Sequence, residues 1–389
     1  MRTLVVYHFY AHYREPILRE LANSTSHDYV FITGDAANLA GLNPIKELNI
    51  EPGRSQPFTI VRNYWFKRRM LWQRGLISEL MSGEYDAVIY LGNAYFLTTW
   101  LGAIISRLRG KRTLMWSHGL YGDESWWQRK VRTWHYSLAH GLMLYGNWSR
   151  RLLLDRNFES DSLYVIYNSL NVPKQDQLYK ELVEQQALNA NLFDDTSRPT
   201  LIFIGRLTKQ KKIHMLLEAA AILKRRKKLA NILIIGAGDE RNRLESRAEE
   251  LSLSDCVCFY GACFDEDTNA RLIYCSDICI APGEVGLTAM HAMAYGTPVI
   301  THSNRSKQMP EFEAIIDGES GTFFTENDSN SLANSVDDWL TNHTDRQKVR
   351  EDCRRIIHRY FDPRKQARVI DAAVSGVNAT QICDFMDYE

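Results

Sequence analysis

The sequence lacks the features that mark several common classes of protein. No stretch approaches the roughly 18 consecutive apolar residues that span a bilayer, and residues 1–8 resemble a strand rather than a secretion signal. Lysine plus arginine equals aspartate plus glutamate at 47 each, so there is no excess of positive charge for nucleic acid. The cysteines contain no pair of C-x-x-C repeats that would frame a zinc site. We expect a cytoplasmic, soluble protein with reduced thiols, attached at most to the inner face of the cytoplasmic membrane.

The sequence does contain a repeated alternation of short apolar runs with amphipathic segments. Apolar runs at 4–7 and 87–91 are followed by helix-like segments at 14–22 and 98–108, and the alternation restarts at residue 200. Such alternation predicts βαβ units around parallel sheets.

A polar stretch separates the two series. A chain of 389 residues is long enough for two domains, and residues 175–198 are turn-rich and have no strand pattern. The predicted fold class is therefore α/β, with Rossmann-like doubly wound domains at residues 1–190 and 191–360.

The strongest motif lies where the first strand of the second half ends. An apolar run ends at Gly205, Arg206 follows at once, and Lys211 comes five residues later. The glycine lets a phosphate approach the backbone, while the arginine fork and the lysine ammonium suit phosphate oxygens. At ~4 Å and an effective dielectric of ~20, each charge pair contributes about 4 kcal/mol, so two cations could replace a metal ion. The alternative is a solvated basic loop, because Lys209 and Lys212 are also present.

The second motif joins a strand to a helix between residues 281 and 300. A glycine-containing loop opens a helix near Thr288. The amides of Gly286, Leu287 and Thr288 would point at an anion, with the helix dipole behind them. His291 lies one turn further on, and a purely structural role is the alternative for it. The two motifs together predict a site for the diphosphate of a nucleotide.

In this order, the segments resemble the C-terminal domain of retaining GT-B glycosyltransferases of family four, the glycosyl transferases group 1. The resemblance covers about residues 110–370. It implies two Rossmann-like domains that face each other across a cleft, the N-terminal one binding the acceptor, and a C-terminal segment, 361–389, that returns to it. It also implies a nucleoside diphosphate sugar, UDP- or GDP-linked, with Arg206 and Lys211 on the diphosphate and backbone near Gly261 on the base.

One departure from the family concerns two glutamates that its members carry eight positions apart, the first for the donor sugar and the second for the ribose. Alignment on Gly286 and Leu287 places Gly283 and His291 at those positions, with Glu284 one residue out of register. We expect Glu284 to reach the donor sugar through a shifted backbone, and His291 to contact the ribose.

The first half offers fewer candidates. His118 directly follows an apolar strand, at a place where family members often carry a histidine that contacts the donor sugar, and we expect it in the catalytic site. The loop after the first strand lacks the glycines that many members have there. Its His12 and Arg14 are expected to face the acceptor or a phosphate, with capping or packing as the alternative.

Two stretches, 64–74 and 126–134, combine tryptophans with basic residues. Helices of this composition can lie on an anionic membrane surface with their tryptophans at the headgroups, which would suit a lipid-linked acceptor. The alternative is a pair of amphipathic helices that pack their tryptophans inward.

No metal or other cofactor is predicted. The acidic run Asp265-Glu266-Asp267 precedes a helix, where such residues favour the N-terminus, so we interpret it as a cap. The expected enzyme is a hexosyl- or related transferase in surface polysaccharide or lipopolysaccharide assembly, with a glycan or lipid-linked glycan as acceptor. A nucleotide-sugar epimerase of the same architecture and a non-catalytic nucleotide-sugar-binding protein remain the alternatives. A dehydrogenase is disfavoured because no complete G-x-G-x-x-G follows the first strand.

Overall fold

The computed structural model describes residues 1–35, 44–45, 47–51, 54–67, 69–185 and 192–386. They form two compact units, Met1–Asn171 with Tyr360–Glu389, and Val172–Arg359. Each unit is built on a largely parallel sheet with helices between its strands, so the predicted α/β class with two Rossmann-like domains is confirmed.

The strands of the N-terminal unit precede those of the C-terminal unit in the chain. In the N-terminal unit they are β1 Arg2–Val6, β2 Tyr10–Ala11, β3 Asp28–Gly34, β4 Pro44–Ile45, β5 Glu47–Glu51, β6 Arg54–Pro57, β7 Thr59–Phe66, β8 Met70–Arg74, β9 Ala87–Leu91, β10 Arg112–Ser117, β11 Gly141–Leu144 and β12 Leu163–Val165. In the C-terminal unit they are β13 Thr200–Ile204, β14 Asn231–Ile235, β15 Val257–Gly261, β16 Ile278–Ala281, β17 Val299–His302 and β18 Gly321–Phe324.

The α-helices alternate with these strands. They are α1 Glu15–Ala22, α2 Leu76–Ser82, α3 Leu97–Leu108, α4 Trp126–Tyr136, α5 Asn147–Leu154, α6 Val172–Glu184, α7 His214–Arg225, α8 Arg241–Glu250, α9 Glu266–Tyr274, α10 Leu287–Ala294, α11 Ser329–Asn342, α12 Arg346–Tyr360, α13 Pro363–Ser375 and α14 Ala379–Ile382.

The N-terminal sheet has the order β12-β11-β10-β9-β1-β3-β7-β8 and the C-terminal sheet the order β15-β14-β13-β16-β17-β18. Every neighbouring pair in them is parallel except β7 and β8. Central strands such as β1 and β14 are apolar on both faces because helices cover both sides of each sheet. In each sheet the chain first adds strands on one side of its first strand, β1 or β13, and then on the other side. Such a reversal of strand order opens a crevice at the carboxyl ends of the strands.

The helix prediction for the stretch 64–74 is wrong, because residues 64–66 and 70–74 belong to the strands β7 and β8 of a hairpin. β7 continues the sheet beside β3, and Tyr64 to Phe66 pair with Trp72 to Met70 across the hairpin. Aromatic residues are favoured in strands, so the composition of this stretch is compatible with a strand as well as with an amphipathic helix. The helix prediction for residues 126–134 is correct, and α4 begins with a capping box between Ser125 and Gln128.

The first boundary between the units lies between Asn171 and Val172. The sequence placed it at residues 190–191, which are outside the described residues. The first part of the stretch interpreted as a linker, residues 175–184, belongs to helix α6. This helix packs on α9 and carries Lys174, whose Nζ is 3.9 Å from Asp267 Oδ2. Its polar composition concealed buried positions such as Leu178 and Leu182.

The C-terminal segment is part of the N-terminal unit. Helix α13 packs against α1, and its Asp371 accepts hydrogen bonds from the Tyr29 hydroxyl at 2.6 Å and the Ser24 hydroxyl at 2.8 Å. Ile370 and Val374 are fully buried in the same core as β1. This segment therefore completes the N-terminal unit after the chain has formed the C-terminal one.

All seven cysteines are free thiols. Burial raises the pKa of Cys279 to about 12 and raises the pKa of Cys353 as well. These buried thiols are poor nucleophiles because the thiolate is the reactive form.

Candidate functional sites

Three neighbouring strands of the C-terminal sheet end in glycines with positive φ. These are Gly205 after β13, Gly236 after β14 and Gly261 at the end of β15, with φ of 151°, 148° and 95°. The N–H of Gly236 donates to the Gly261 carbonyl at 2.8 Å, and a Cβ on Gly236 would lie 1.8 Å from the Gly205 oxygen. Side chains are excluded here, so this edge of the sheet presents backbone to a ligand.

The first turn of α10 lies beside Gly205. The Thr288 hydroxyl donates to the Ile204 carbonyl at 3.0 Å, and a Cβ on Gly205 would be 3.9 Å from that hydroxyl. Gly286 is the N-cap, and the amides of Leu287 and Thr288 lie in the first turn, which has no intrahelical acceptor for them. The structure therefore brings the two predicted motifs together, with a helix N-terminus that favours an anion.

Lys211 is held next to this turn. Its Nζ donates to the Glu284 carbonyl at 2.8 Å and lies 3.6 Å from Glu284 Oε1. Burial is the main cause of its lowered pKa, and the neighbouring charge of Arg206 contributes, while Glu284 opposes the shift. The ammonium is thus partly desolvated, and an additional anion beside it would be strongly attracted.

The other basic residues of the loop behave differently. Lys212 turns away and its Nζ contacts Glu326 at 3.0 Å and Asn327 at 2.7 Å. The Arg206 side chain is exposed, and among the described residues it makes no ion pair. The loop is therefore not a uniformly solvated basic patch, because Lys211 is directed to one place and Lys212 to another.

The departure at residue 283 has a steric reason. The Gly283 N–H donates to the Lys211 carbonyl at 3.1 Å, and a Cβ at this position would lie 2.0 Å from the Gln210 oxygen. No glutamate fits there with this backbone. Glu284 is the carboxylate next to Lys211 instead.

His291 on α10 faces helix α9. Its Nε2 lies 3.0 Å from Glu266 Oε1, which also accepts from the Tyr295 hydroxyl at 2.6 Å. Hydrogen bonds from His291 and Tyr295 lower the pKa of Glu266 against the opposing effect of burial. The sequence assigned Glu266 only to a helix cap, and its pairing with residue 291 depends on a contact between helices.

The acidic run before α9 is a cap, as predicted. The Asp265 carboxylate accepts from the Thr268 N–H at 2.8 Å, and Asp265 is the N-cap residue. Within the described ranges, no cluster of three or more His, Cys, Asp or Glu side chains could hold a metal ion.

The N-terminal unit has a cavity of about 320 Å³ at the carboxyl ends of β1, β9 and β10. His118 and Arg14 line it, whereas the exposed His12 is not among its lining residues. Aromatic and histidine side chains dominate the remaining wall, including Tyr7, His8, Phe9, Tyr13, Tyr95, Tyr121 and Tyr136. Of the residues that line the cavity, the sequence predicted only His118 and Arg14 as site residues. The aromatic run at residues 7–10 was the one further sequence feature that pointed to this wall.

His118 is neutral in this cavity. Burial, with smaller contributions from Arg14 and Arg132, lowers its pKa to about 4. Burial and the charge of Arg14 also lower the pKa of His8 to about 4. Both imidazoles can therefore donate and accept hydrogen bonds near neutral pH, but neither carries a charge.

Helices α3 and α4 expose apolar side chains on the N-terminal unit. Trp126, Trp127 and Trp134 are 65%, 60% and 54% exposed, so the inward-packing alternative is wrong for α4. The exposed residues of α3 recur at helical spacing, namely Leu97, Leu101, Ile104 and Leu108. The two helices touch where the Trp100 and His135 rings are 4.8 Å apart. In the described part of the chain, no helix is long and apolar enough to cross a membrane.

Part of the chain is similar to a known protein family. Residues 184–356 match the family model of the glycosyl transferases group 1. The matched residues lie in the C-terminal unit, and the family is the one that the sequence resemblance predicted.

Individual relatives agree with this assignment. An uncharacterized glycosyltransferase of Methanocaldococcus jannaschii is 32% identical over 38% of this chain and 38% of its own length. The amylovoran biosynthesis glycosyltransferase AmsK of Erwinia amylovora is 29% identical over 39% of this chain and 38% of its own. The chain thus spans well under two thirds of these relatives. The crystal structure of Anabaena HepE in complex with UDP has a TM-score of 0.69 at 15% identity, covering 97% of this chain and 100% of that one, and supports the GT-B fold.

Proposed function

We propose that this protein is a glycosyltransferase that moves a sugar from a nucleoside diphosphate sugar to a glycan or lipid-linked acceptor with retention of anomeric configuration. The observation that carries the proposal is the meeting of Gly205, Lys211 and the first turn of α10 in one unit. A glycine edge, a desolvated ammonium and free helix amides together suit a diphosphate. UDP and GDP are the candidate nucleotides, and the UDP bound to HepE favours UDP.

The chemistry would rest on stabilising the departing diphosphate. Charge accumulates on its oxygens as the bond to the sugar breaks, and Lys211, Arg206 and the α10 amides would face that charge without reorganising. This arrangement requires no metal ion. Backbone near Gly261 would contact the base, and His291, oriented by Glu266, would contact the ribose.

The remaining candidate residues concern the sugar and the acceptor. Glu284 would contact the donor sugar from its place beside Lys211, and His118 would contribute a neutral imidazole. Arg14 lines the same cavity as His118 and would face the acceptor, whereas the exposed His12 would lie at most on the approach to it. The proposed role is in surface polysaccharide or lipopolysaccharide assembly. The name of a relative, the lipopolysaccharide core biosynthesis glycosyltransferase LpsE of Rhizobium meliloti, supports it at 27% identity over 42% of this chain and 45% of its own length.

Loss of transfer in single variants tests the site. Removing one such charged donor commonly costs ~10²–10³ in rate, so Lys211→Ala and Arg206→Ala should each lose most transfer while circular dichroism remains unchanged. Lys209→Ala is the matched control, because this lysine is exposed on the same loop. Near-normal turnover in either site variant would refute the assignment.

The two alternatives differ in their products. An epimerase would convert a nucleotide-sugar without acceptor, and a non-catalytic binder would bind the donor without hydrolysis or transfer. A panel of UDP-, GDP- and dTDP-sugars, first by thermal shift and then by product analysis, separates the three functions. A donor at 100 times its dissociation constant stabilises the protein by about 2.7 kcal/mol, which a thermal shift detects.

The face formed by α3 and α4 supports an anionic membrane surface as a further partner. Helices α3 and α4 contain no acidic residue, and besides Arg132 of the cavity their arginines and lysines are Arg107, Arg129 and Lys130. Lys130 lies 4.5 Å from the centre of the Trp126 ring, so basic and apolar groups share one face. This combination suits the headgroup region, and a peripheral position on the cytoplasmic membrane would bring a lipid-linked acceptor near.

Liposome flotation tests this partner. The protein should float with vesicles that contain anionic lipid at low salt, and Leu108→Glu or Trp127→Glu should weaken binding. Phe264→Glu is the control, because Phe264 is an exposed aromatic residue of the C-terminal unit. Absence of flotation at low salt would remove the membrane from the proposal.

A further inference from the structure

Arg14 is a cation without an anionic partner among the described residues. Its guanidinium donates to the Tyr145 hydroxyl and lies 5.0 Å from the Tyr7 ring centre, 5.4 Å from Trp116 and 5.6 Å from Tyr145. The Tyr13 ring lies 5.9 Å away, so the contacts given for the guanidinium among the described residues are to aromatic side chains. The guanidinium is therefore held by aromatic faces and one neutral acceptor.

A second arginine of the same cavity, Arg132, has a carboxylate as its partner. Arg132 Nη1 lies 3.6 Å from Glu124 Oε1 and donates to the Gly119 carbonyl at 2.9 Å. Glu124 is buried, and its carboxylate also accepts from the N–H groups of Tyr121 and Gly122. The charge of Arg132 is thus neutralised within the fold, and that of Arg14 is not.

A desolvated charge without a counter-ion is costly, because burial removes hydration that no ion pair replaces. At Arg14 the cost is only partly reduced by the rings around it, because the attraction of a cation to an aromatic face is weaker than that to a buried counter-ion. An anion entering the cavity would meet a guanidinium whose position and orientation are already fixed, and it would supply the missing charge.

The rest of the cavity fits a polar ligand with a ring. The neutral His118 stacks on Tyr121 with ring centres 6.1 Å apart, and Nδ1 of His118 and Nδ1 of His8 have no hydrogen-bond partner in the described structure. Asn93 and Tyr95, which follow β9, add polar side chains to the lining. A volume of about 320 Å³ is large enough for one monosaccharide unit.

We propose that this cavity binds an anionic group of the acceptor, a carboxylate or a phosphate carried by a sugar, and that Arg14 is its counter-ion. The inference rests on the proposed function, because it narrows the acceptor class of a glycosyltransferase. Donor binding by the C-terminal unit is a separate property and can be measured separately.

Calorimetric titration of the full chain tests the proposal, with glucuronic acid and glucose 1-phosphate as anionic probes and glucose as the neutral control. At least one anionic probe should bind ten times more tightly than glucose, and the better one distinguishes a carboxylate from a phosphate. Arg14→Gln should abolish this preference. Arg19→Gln is the matched control, because Arg19 lies on α1, the helix that begins directly after Arg14, and is exposed beside Glu15.

UDP affinity is measured on the same samples. In the Arg14→Gln variant it should stay within twofold of the original value, which also reports that the C-terminal unit is folded. Equal binding of glucose and both anions to the unmodified protein would overturn the proposal without any variant. A large loss of UDP affinity in Arg14→Gln would overturn it as well, because Arg14 would then serve the donor. Failure of UDP to bind the unmodified protein would instead contradict the proposed function.

Discussion

The two candidate sites are built from different parts of the polypeptide. In the C-terminal unit, Gly205, Gly236 and Gly261 and the first turn of α10 present backbone, and one lysine adds charge. In the N-terminal unit, tyrosine, histidine and arginine side chains line the cavity at the equivalent edge of the sheet. A binding site lined by backbone requires glycines at fixed positions. A binding site lined by side chains can acquire a different ligand when one of those residues is substituted.

This difference agrees with the chemistry expected of each site. A diphosphate is common to all donors of this kind, and backbone amides at a helix N-terminus bind it irrespective of the sugar attached. Acceptors vary, and aromatic walls with a few polar groups are adjustable. We therefore expect backbone changes to damage the C-terminal site and charge changes to redirect the N-terminal one.

The largest effect is expected from Gly236→Ala. The added Cβ would lie 1.8 Å from the Gly205 oxygen, so the ends of β13 and β14 would have to separate. We expect the free energy of unfolding to fall by more than about 3 kcal/mol and UDP binding to be lost. Urea denaturation and calorimetry measure the two effects.

Gly318→Ala is the control for this change. Gly318 also has positive φ, at 76°, but a Cβ there meets nothing within 4 Å, so only the backbone penalty of about 1–2 kcal/mol applies. Equal effects of the two substitutions would show that the close approach at Gly236 is unimportant.

An intermediate effect on stability is expected when the pH is lowered, through His135 of the N-terminal unit. His135 is fully buried, and burial lowers its pKa to about 4. The unfolded chain takes up this proton near pH 6.5 and the folded chain only near pH 4, so stability decreases as the pH falls between these values. The complete shift corresponds to a loss on the order of 3 kcal/mol.

His135→Leu should reduce this pH dependence, as measured by urea denaturation at pH 7 and pH 4.5. The exposed His214 lies on helix α7 of the other unit, and His214→Gln should leave the pH dependence unchanged. An unaltered slope in His135→Leu would mean that His135 titrates normally in the folded protein.

The smallest effect is expected from Thr288→Val. The change removes the hydrogen bond of 3.0 Å to the Ile204 carbonyl, which costs about 1 kcal/mol, and it loosens the contact between α10 and β13. UDP affinity should fall several-fold. Thr297→Val removes a similar bond, 2.7 Å long, to the Ile273 carbonyl near the other end of α10. It should cost similar stability and leave UDP affinity unchanged, and equal losses of UDP affinity would contradict the role of Thr288.

The contrast between a backbone-lined and a side-chain-lined site also explains which features the sequence could predict. The motif around Gly205 and Gly286 was recognisable because glycines at strand ends and helix starts have fixed spacing, and the structure brings both together. The parallel sheets followed from apolar runs that are buried on both faces.

The contacts that sequence reasoning missed lie between distant elements. Glu266 on α9 contacts His291 on α10. The tyrosines around Arg14, namely Tyr7, Tyr13 and Tyr145, follow β1, β2 and β11. Helix α6 was missed because its exposed face is polar. No local pattern reports such contacts, since they depend on which elements pack together.

A crystal structure of the protein with UDP tests the central claim most directly. We predict that the diphosphate oxygens lie within about 3.2 Å of Lys211 Nζ and of the Thr288 amide, at hydrogen-bond distance. The base should lie at the backbone of Gly261. A diphosphate more than about 5 Å, beyond hydrogen-bond range, from both Lys211 and the first turn of α10 would contradict the claim that this glycine edge is the donor site.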